Sequence, residues 1–144
     1  MALWLSAKIP TGDDSRLLGS GGVDVALSLS AEQQVGTRLT TFEQLTLTHV
    51  GNTTWLNDRQ RRMIANGLLG VSLRVSSHWQ VITQLNDHSA AYDSDIRVLG
   101  SAVQLSLGPR YSSGAWQADF AIAEDAVVDT APDVQFVFQV ARRW

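Results

Sequence analysis

The sequence has no cysteine and only one lysine, Lys8, among its 144 residues. Without cysteine, a disulfide framework and thiol chemistry are excluded. Charged residues make up 17% of the chain, below the roughly 25% of an average globular domain. Glutamine, serine and threonine supply most of the polarity instead. This composition is typical of a protein whose outer band touches lipid and whose polar groups are enclosed.

Long apolar runs are missing too. A membrane-spanning helix needs about 18 or more consecutive apolar residues, and no such run occurs. The first residues lack the basic n-region and long h-region of a signal peptide, so we expect the chain to be a mature form, a truncated form or a protein that is not exported. The formal net charge of −3 and the pI near 5.4 argue against nucleic acid as a partner, because nucleic acid requires a concentrated basic surface.

Alternation of apolar and polar residues is the strongest positive signal. Near the carboxyl end, Phe136, Phe138 and Val140 alternate with Gln135 and Gln139, and a period of two indicates a strand with one apolar face. The predicted strands cover residues 2–10, 23–33, 38–49, 67–75, 78–86, 97–110, 115–123 and 134–143. Most have the about 9–11 residues that a tilted strand needs to cross a bilayer.

The third predicted strand departs from this pattern. Phe42 falls on its polar face, and Glu43 shares a face with Leu45 and Leu47. A β-bulge re-aims side chains, and we expect one near Thr41.

Predicted connections alternate between long and short. The long ones run over residues 11–22, 50–66, 87–96 and 124–133, and the short ones over 34–37, 76–77 and 111–114. Even strand numbers with short turns at one end and long loops at the other are typical of outer-membrane barrels. The sequence therefore predicts an all-β, antiparallel up-and-down β-barrel of about eight strands, of outer-membrane type, forming one domain over residues 1–144.

Alternation alone does not say which face points outward. A soluble lipocalin-like barrel, carrying an apolar small molecule, has its apolar face inside, and a membrane barrel has it outside. Aromatic residues near strand ends, typical of interfacial girdles, favour the membrane: Trp4, Trp79, Tyr111, Trp116, Phe136 and Trp144. Hydrogen-bonding side chains on the other face suit an enclosed lumen: Lys8, Asp24, Glu32, Arg38, Gln44, Arg74, Gln80, Gln84, Gln104, Gln117, Asp119, Gln135 and Gln139.

Three short stretches carry a family resemblance. They are KIPTGD at residues 8–13, GSGGVD at 19–24 and DTAPDV at 129–134. Together they resemble an uncharacterised family of proteobacterial outer-membrane-type proteins of unknown function. The resemblance spans most of the chain and implies that it corresponds to the carboxyl-terminal half of a longer, secreted protein. It implies no catalytic residue and no cofactor.

Acidic residues gather in the predicted long loops. Carboxylate oxygens are ligands for Ca²⁺ or Mg²⁺, and the weak metal candidates are Asp13, Asp14, Asp93, Asp95, Asp129 and Asp133. Their spacing matches no EF-hand, and solvated loop charge is the alternative that we favour. We therefore predict neither a metal nor a cofactor.

The loop after the third strand contains Arg59, Arg61 and Arg62. Guanidinium groups bind phosphate well, and in an outer leaflet the phosphates belong to lipopolysaccharide. An ordinary polar loop is the alternative for this segment.

The histidines are His49, His78 and His88. With a serine and a carboxylate, His49 and His88 would suit a lipid-modifying hydrolase, but a triad is recognised by geometry and no spacing here specifies one. We expect no enzyme. An eight-stranded barrel has an interior filled by side chains, so a structural or loop-mediated binding role is predicted, with the lipid bilayer and lipopolysaccharide as partners.

One further alternative concerns the two edges. Strands 2–10 and 134–143 would offer unpaired backbone groups, so the chain would form a larger barrel with a channel by pairing with further strands, or form a homo-oligomer.

Overall fold

The computed structural model describes residues 1–12, 16, 20–52, 57–96, 100–126 and 134–144. It contains one antiparallel sheet in which eight strands follow one another in chain order. The strands are β1 (Ala2–Lys8), β2 (Asp24–Val35), β3 (Leu39–His49), β4 (Met63–Arg74), β5 (Trp79–His88), β6 (Ala102–Ser113), β7 (Trp116–Asp125) and β8 (Gln135–Arg142). The prediction of an all-β, up-and-down fold with eight strands is confirmed. No helix in the described ranges is long and apolar enough to cross a bilayer.

Long and short connections alternate as predicted. The short ones cover residues 36–38, 75–78 and 114–115, and Gly36 and Gly114 have φ angles of 66° and 56°. Glycine adopts such positive φ values without steric cost, so these two residues permit the tight turns. The predicted start of β4 is four residues late, because the strand begins at Met63, which pairs with His49 at the far end of β3.

One face of the sheet is apolar over all eight strands. Direct partners in an antiparallel ladder point to the same side, and Leu5, Leu27 and Leu47 form one such row. We call this side the apolar face. Its large members, all at least 38% exposed, include Leu3, Leu5, Val25, Leu27, Leu29, Val35, Leu45, Leu47, Met63, Leu69, Leu73, Trp79, Val81, Leu85, Leu105, Leu107, Tyr111, Trp116, Phe120, Ile122, Phe136, Phe138 and Val140.

The molecule has almost no internal hydrophobic core. Among the described residues, the buried hydrophobic side chains are Val50, Ala102 and Ala123, and none of the large side chains is fully buried. Folding of a chain this size in water normally depends on burying apolar area. Here most of the apolar area lies exposed on the apolar face of the sheet.

The strands are strongly staggered. A row of direct partners starts at Ala2, the first residue of β1, and reaches Asp125, the last residue of β7, by way of Ser30, Gln44, Leu68, Asn86 and Gln104. The row therefore crosses from the short-turn end of the sheet to its long-loop end. Strands that tilt around a barrel axis show this displacement.

The described strands do not close into a barrel. The ladders join β1 to β2 and β7 to β8, and no pairing or close contact joins β8 to β1. Because every row shifts along the strands, β8 lies displaced towards the short-turn end relative to β1. The expectation of a closed barrel within one chain is thus corrected to an open eight-stranded sheet with two unpaired edge strands.

The expected bulge near Thr41 is also wrong. The β3 partners run without a break on both sides, with Thr41 opposite Gln33 on β2 and Val71 on β4. Phe42 therefore stays on the polar side of the sheet. Its direct partner on β4 is Gly70, which has no side chain, so the ring finds room there.

Candidate functional site

Two of the cavities beside the described strands lie on the polar side of the sheet, one near each end of the strands. The turn-end cavity, of about 630 Å³, is lined by residues from β2 to just beyond the end of β8, so the sheet is rolled around it. Its lining consists of Glu32, Gln34, Thr40, Phe42, Ser72, Arg74, Gln80, Ile82, Gln84, Arg110, Ser112, Gln117 and Arg143. This polar lining matches the predicted lumen face.

An ion pair organises one wall of the turn-end cavity. Arg110 Nε and Nη2 donate to the two carboxylate oxygens of Asp119, each over 2.8 Å. Gln117 Nε2 adds a 3.1 Å hydrogen bond to Asp119 Oδ2, and Arg143 Nη2 donates to Gln117 Oε1 over 3.3 Å. The bidentate geometry is the strong form of an arginine–carboxylate contact, so these side chains hold fixed positions.

The loop-end cavity, of about 610 Å³, has a mixed lining of Gln44, Thr46, Asn66, Gly67, Leu68, Asn86, Asp87, His88, Ala102, Gln104 and Asp125. Gln104 Nε2 donates to Asp125 Oδ1 over 3.4 Å. On the neighbouring strands the Ser28 and Thr46 hydroxyls share a 2.8 Å hydrogen bond. No buried side-chain nitrogen or oxygen in the described part of the chain lacks a partner, as an enclosed polar lumen requires.

A third polar cluster ties the first long loop to the sheet. Lys8 Nζ donates to Asp24 Oδ2 and, over 2.6 Å, to Ser20 Oγ, and Asp24 Oδ1 accepts the Gly51 amide over 3.0 Å. Ser20 and Asp24 belong to the GSGGVD stretch. Because all acceptors here serve the protein itself, we assign this cluster a structural role.

Aromatic side chains gather at the short-turn end. The rings of Trp79 and Tyr111 lie 4.9 Å apart, and the Arg142 guanidinium lies 5.4 Å from the Trp116 ring and 4.7 Å from that of Trp144. These four aromatics match the predicted girdle. Trp4 and Phe136, the other two aromatic residues predicted for the girdle, lie elsewhere on the sheet.

Trp4 pairs with Ser28, on the polar side of the sheet. Phe136 pairs with Ile122 near the start of β8, at the loop end, and its ring lies 6.3 Å from that of Phe120.

Two long loops lie against each other at the opposite end. Gln60 and Tyr92 form an antiparallel bridge, flanked by backbone hydrogen bonds from Asp93 N to Arg59 O and from Arg61 N to Ala91 O. The bridge therefore positions the arginine segment beside the acidic loop.

Of the predicted phosphate-binding arginines, Arg61 lies 3.6 Å from Asp93 Oδ1, with both side chains exposed, and Arg62 also has a partner. Among the metal candidates, Asp93 and Asp95 are described, and no group of three possible ligands occurs in the described ranges. The other four, Asp13, Asp14, Asp129 and Asp133, lie outside the described residues.

The three histidines do not share one site. His49 ends β3 and His88 ends β5 at the loop end, and His88 Nδ1 lies 3.3 Å from the Ser89 carbonyl. His78 lies in a turn at the other end, 2.9 Å from Ser77 Oγ and stacked on Tyr111. In the described part of the chain, no hydrogen bond joins any of the three histidine rings to a carboxylate, the contact that orients the histidine of a catalytic triad.

Comparison with known proteins gives one result. The family model described as "Protein of unknown function (DUF3187)" matches residues 1–144. No curated protein and no solved structure matches the chain.

Proposed function

The chain belongs to the DUF3187 family, and we propose that it is an integral β-sheet protein of the bacterial outer membrane. The observation that carries the proposal is the apolar face, which runs over all eight strands while no large side chain of the described residues is fully buried. Burial of apolar area is worth about 25 cal/mol per Å², and monomers in water rarely expose contiguous apolar patches beyond a few hundred Å². If the apolar face contacts lipid hydrocarbon instead of water, its exposure no longer costs free energy.

The polar side supports the same proposal. Its side chains pair with one another, as in the Arg110–Asp119 pair, and line both cavities. A lipocalin-like carrier would need the apolar side chains inside instead. The polar lining therefore argues against a soluble carrier of apolar molecules.

The aromatic girdle indicates where the membrane–water interface would lie along the strands. Trp79, Tyr111 and Trp116 lie on the apolar face at the short-turn end, where amphipathic rings suit a bilayer interface.

Three carboxylates interrupt the apolar face. Asp87 and Glu124 lie one residue from the loop ends of β5 and β7, and Glu43 lies within β3. Asp and Glu are tolerated there better than Lys or Arg.

We assign the chain a structural or loop-mediated binding role rather than catalysis. The packed loops present Arg59, Arg61 and Arg62 at the end opposite the girdle, where the phosphates of lipopolysaccharide would meet guanidinium groups. The distance of His78 from His49 and His88 supports this choice.

A second candidate function is a channel. The edges of β1 and β8 lack partners in the sheet, and unpaired edges cannot face hydrocarbon because their backbone groups would stay unsatisfied. Pairing with further strands or with a second copy would widen the lumen beyond that of eight strands. Steady planar-bilayer conductance supports this candidate, and its absence supports a closed, filled lumen.

Tryptophan quenching in brominated lipid tests the membrane proposal. Single-tryptophan variants that retain Trp79, Trp116 or Trp4 are reconstituted in vesicles whose acyl chains are brominated near the head group or near the centre. We expect head-group-side bromines to quench Trp79 and Trp116 and all bromines to quench Trp4 less, since Trp4 lies on the polar side. A protein that stays folded and monomeric in plain buffer, and does not partition into vesicles, would overturn the proposal.

A further inference from the structure

We infer that the turn-end cavity is a binding site for a small multivalent anion that carries phosphate or carboxylate groups. The cavity, of about 630 Å³, lies within the about 300–1,000 Å³ of typical ligand pockets. This inference rests on the polar side of the sheet and does not depend on which solvent meets the apolar face.

Positive charge dominates the cavity. Arg74, Arg110 and Arg143 line it, against the single lining carboxylate of Glu32. Asp119, next to the cavity, accepts two hydrogen bonds from Arg110 and so neutralises only that arginine. Arg74 and Arg143 therefore stand against the one carboxylate of Glu32. This leaves a net positive charge in a concave space, where field lines focus and attract anions.

The register brings two of the guanidinium groups into one row. Arg74 on β4 is the direct partner of Gln80 on β5, and Gln80 is the direct partner of Arg110 on β6. Adjacent strands lie about 4.8 Å apart, so the stems of Arg74 and Arg110 stand about 10 Å apart on the same side. Side chains of this length from one row converge on a ligand between them.

Hydrogen bonds within the cavity wall use side-chain oxygen acceptors and leave nitrogen donors available to a ligand. Gln80 Oε1 accepts from Ser72 Oγ over 3.1 Å, and Gln34 Oε1 accepts from Thr40 Oγ1 over 2.9 Å. Gln117 Oε1 accepts from Arg143. Three of the four lining glutamine oxygens, all but that of Gln84, are thus engaged within the wall, whereas the Arg74 guanidinium and the Gln80 amide nitrogen are left as donors for a ligand. A donor-rich wall recognises anions.

Calorimetric titration of the folded, detergent-solubilised protein tests the site. Pyrophosphate and citrate serve as probes at low ionic strength, because screening weakens such contacts. We expect saturable binding of at least one probe to the wild type. Arg74→Gln is expected to weaken it about tenfold or more, since a hydrogen bond to a charged group contributes about 1.5–3 kcal/mol.

Two further variants make the test specific. Arg142→Gln removes a cation at the same end, but on the outer side between Trp116 and Trp144, and is expected to leave binding unchanged. The paired Arg110→Gln, Asp119→Asn variant removes both members of the ion pair without stranding either charge, and is expected to weaken binding less than Arg74→Gln does, because the net charge at the cavity stays the same. If the wild type shows no saturable binding at millimolar probe, or if Arg142→Gln weakens binding as much as Arg74→Gln, the site does not exist.

Discussion

The ring of Phe42 on β3 occupies the space beside Gly70 on β4 that a Cβ atom at position 70 would need. The two residues are direct partners in the ladder. The ring lines the turn-end cavity, whereas Gln44, two residues along the strand, lines the loop-end cavity. Phe42 therefore fills the lumen at the boundary between the two cavities, and the missing side chain at position 70 makes this possible.

Gly70→Leu is expected to destabilise the fold by about 1–3 kcal/mol, the usual cost of overpacking. The new side chain meets the Phe42 ring, which must leave its place. Urea unfolding in lipid vesicles, followed by tryptophan fluorescence, measures the loss.

The double variant Phe42→Ala, Gly70→Leu is the control. If the two residues compete for one space, removal of the ring recovers part of the lost stability, because residues in contact are not additive. Strictly additive effects would show that Phe42 and Gly70 do not share this space.

Gly108→Ala is expected to be more damaging than Gly70→Ala. A Cβ at position 108 meets the Phe120 carbonyl and the Ala121 Cα on β7. Backbone cannot move aside as a ring can, so β6 and β7 must separate locally. Midpoints of urea unfolding for the two alanine variants give the comparison, and a smaller shift for Gly108→Ala would contradict the close approach of these strands.

The sequence was sufficient for the strand number and the loop alternation, because both follow from local patterns. It was insufficient to explain why Phe42 lies on the polar side of the sheet. Its apparent misplacement suggested a bulge, and only the partner strand, which supplies Gly70, explains it. The start of β4 was missed because Met63, Ile64 and Ala65 are all apolar and show no alternation. Pairing with β3 fixes that start, and pairing is not a local property.

The turn-end cavity was partly predictable. Arg74 and Gln80 were expected on the lumen face, but Arg110 was not among those residues because the predicted sixth strand ended there. The strand continues to Ser113, which places Arg110 opposite Asp119. The gathering of Arg74, Arg110 and Arg143 around one space depends on the register of several ladders, which no single segment of sequence contains.

Leu29→Arg and Ser30→Arg place the same charge on adjacent residues of β2 that face opposite sides. Leu29 lies on the apolar face between Leu3 and Leu45, and Ser30 lies beside Gln44 on the polar side. In vesicles, Leu29→Arg is expected to destabilise by about 2–4 kcal/mol, the cost of arginine near a bilayer midplane. Ser30→Arg should have a clearly smaller effect. The reverse order would mean that the polar side meets the hydrocarbon.

Cysteine cross-linking tests what covers the two edge strands, and the chain has no native cysteine to interfere. Leu5→Cys on β1 is combined in turn with Phe136→Cys, Phe138→Cys or Val140→Cys on β8, all on the apolar face. A disulfide requires Cα atoms about 4.4–6.8 Å apart, so each pair reports one register. Because β1 and β8 do not meet in the open sheet and bare strand edges cannot face hydrocarbon, we expect at least one of the three pairs to cross-link between two chains in vesicles.

The control combines Leu5→Cys with Gln139→Cys, which points to the polar side and should not cross-link. Non-reducing gels separate the outcomes by mass. A faster-migrating monomer shows that β1 and β8 meet and that the lumen is that of eight strands. A cross-linked dimer instead shows that a second copy covers the edge, because the same two backbone edges are then satisfied between chains. The dimer is the expected result and favours the wider channel, whereas the faster-migrating monomer would contradict the open sheet.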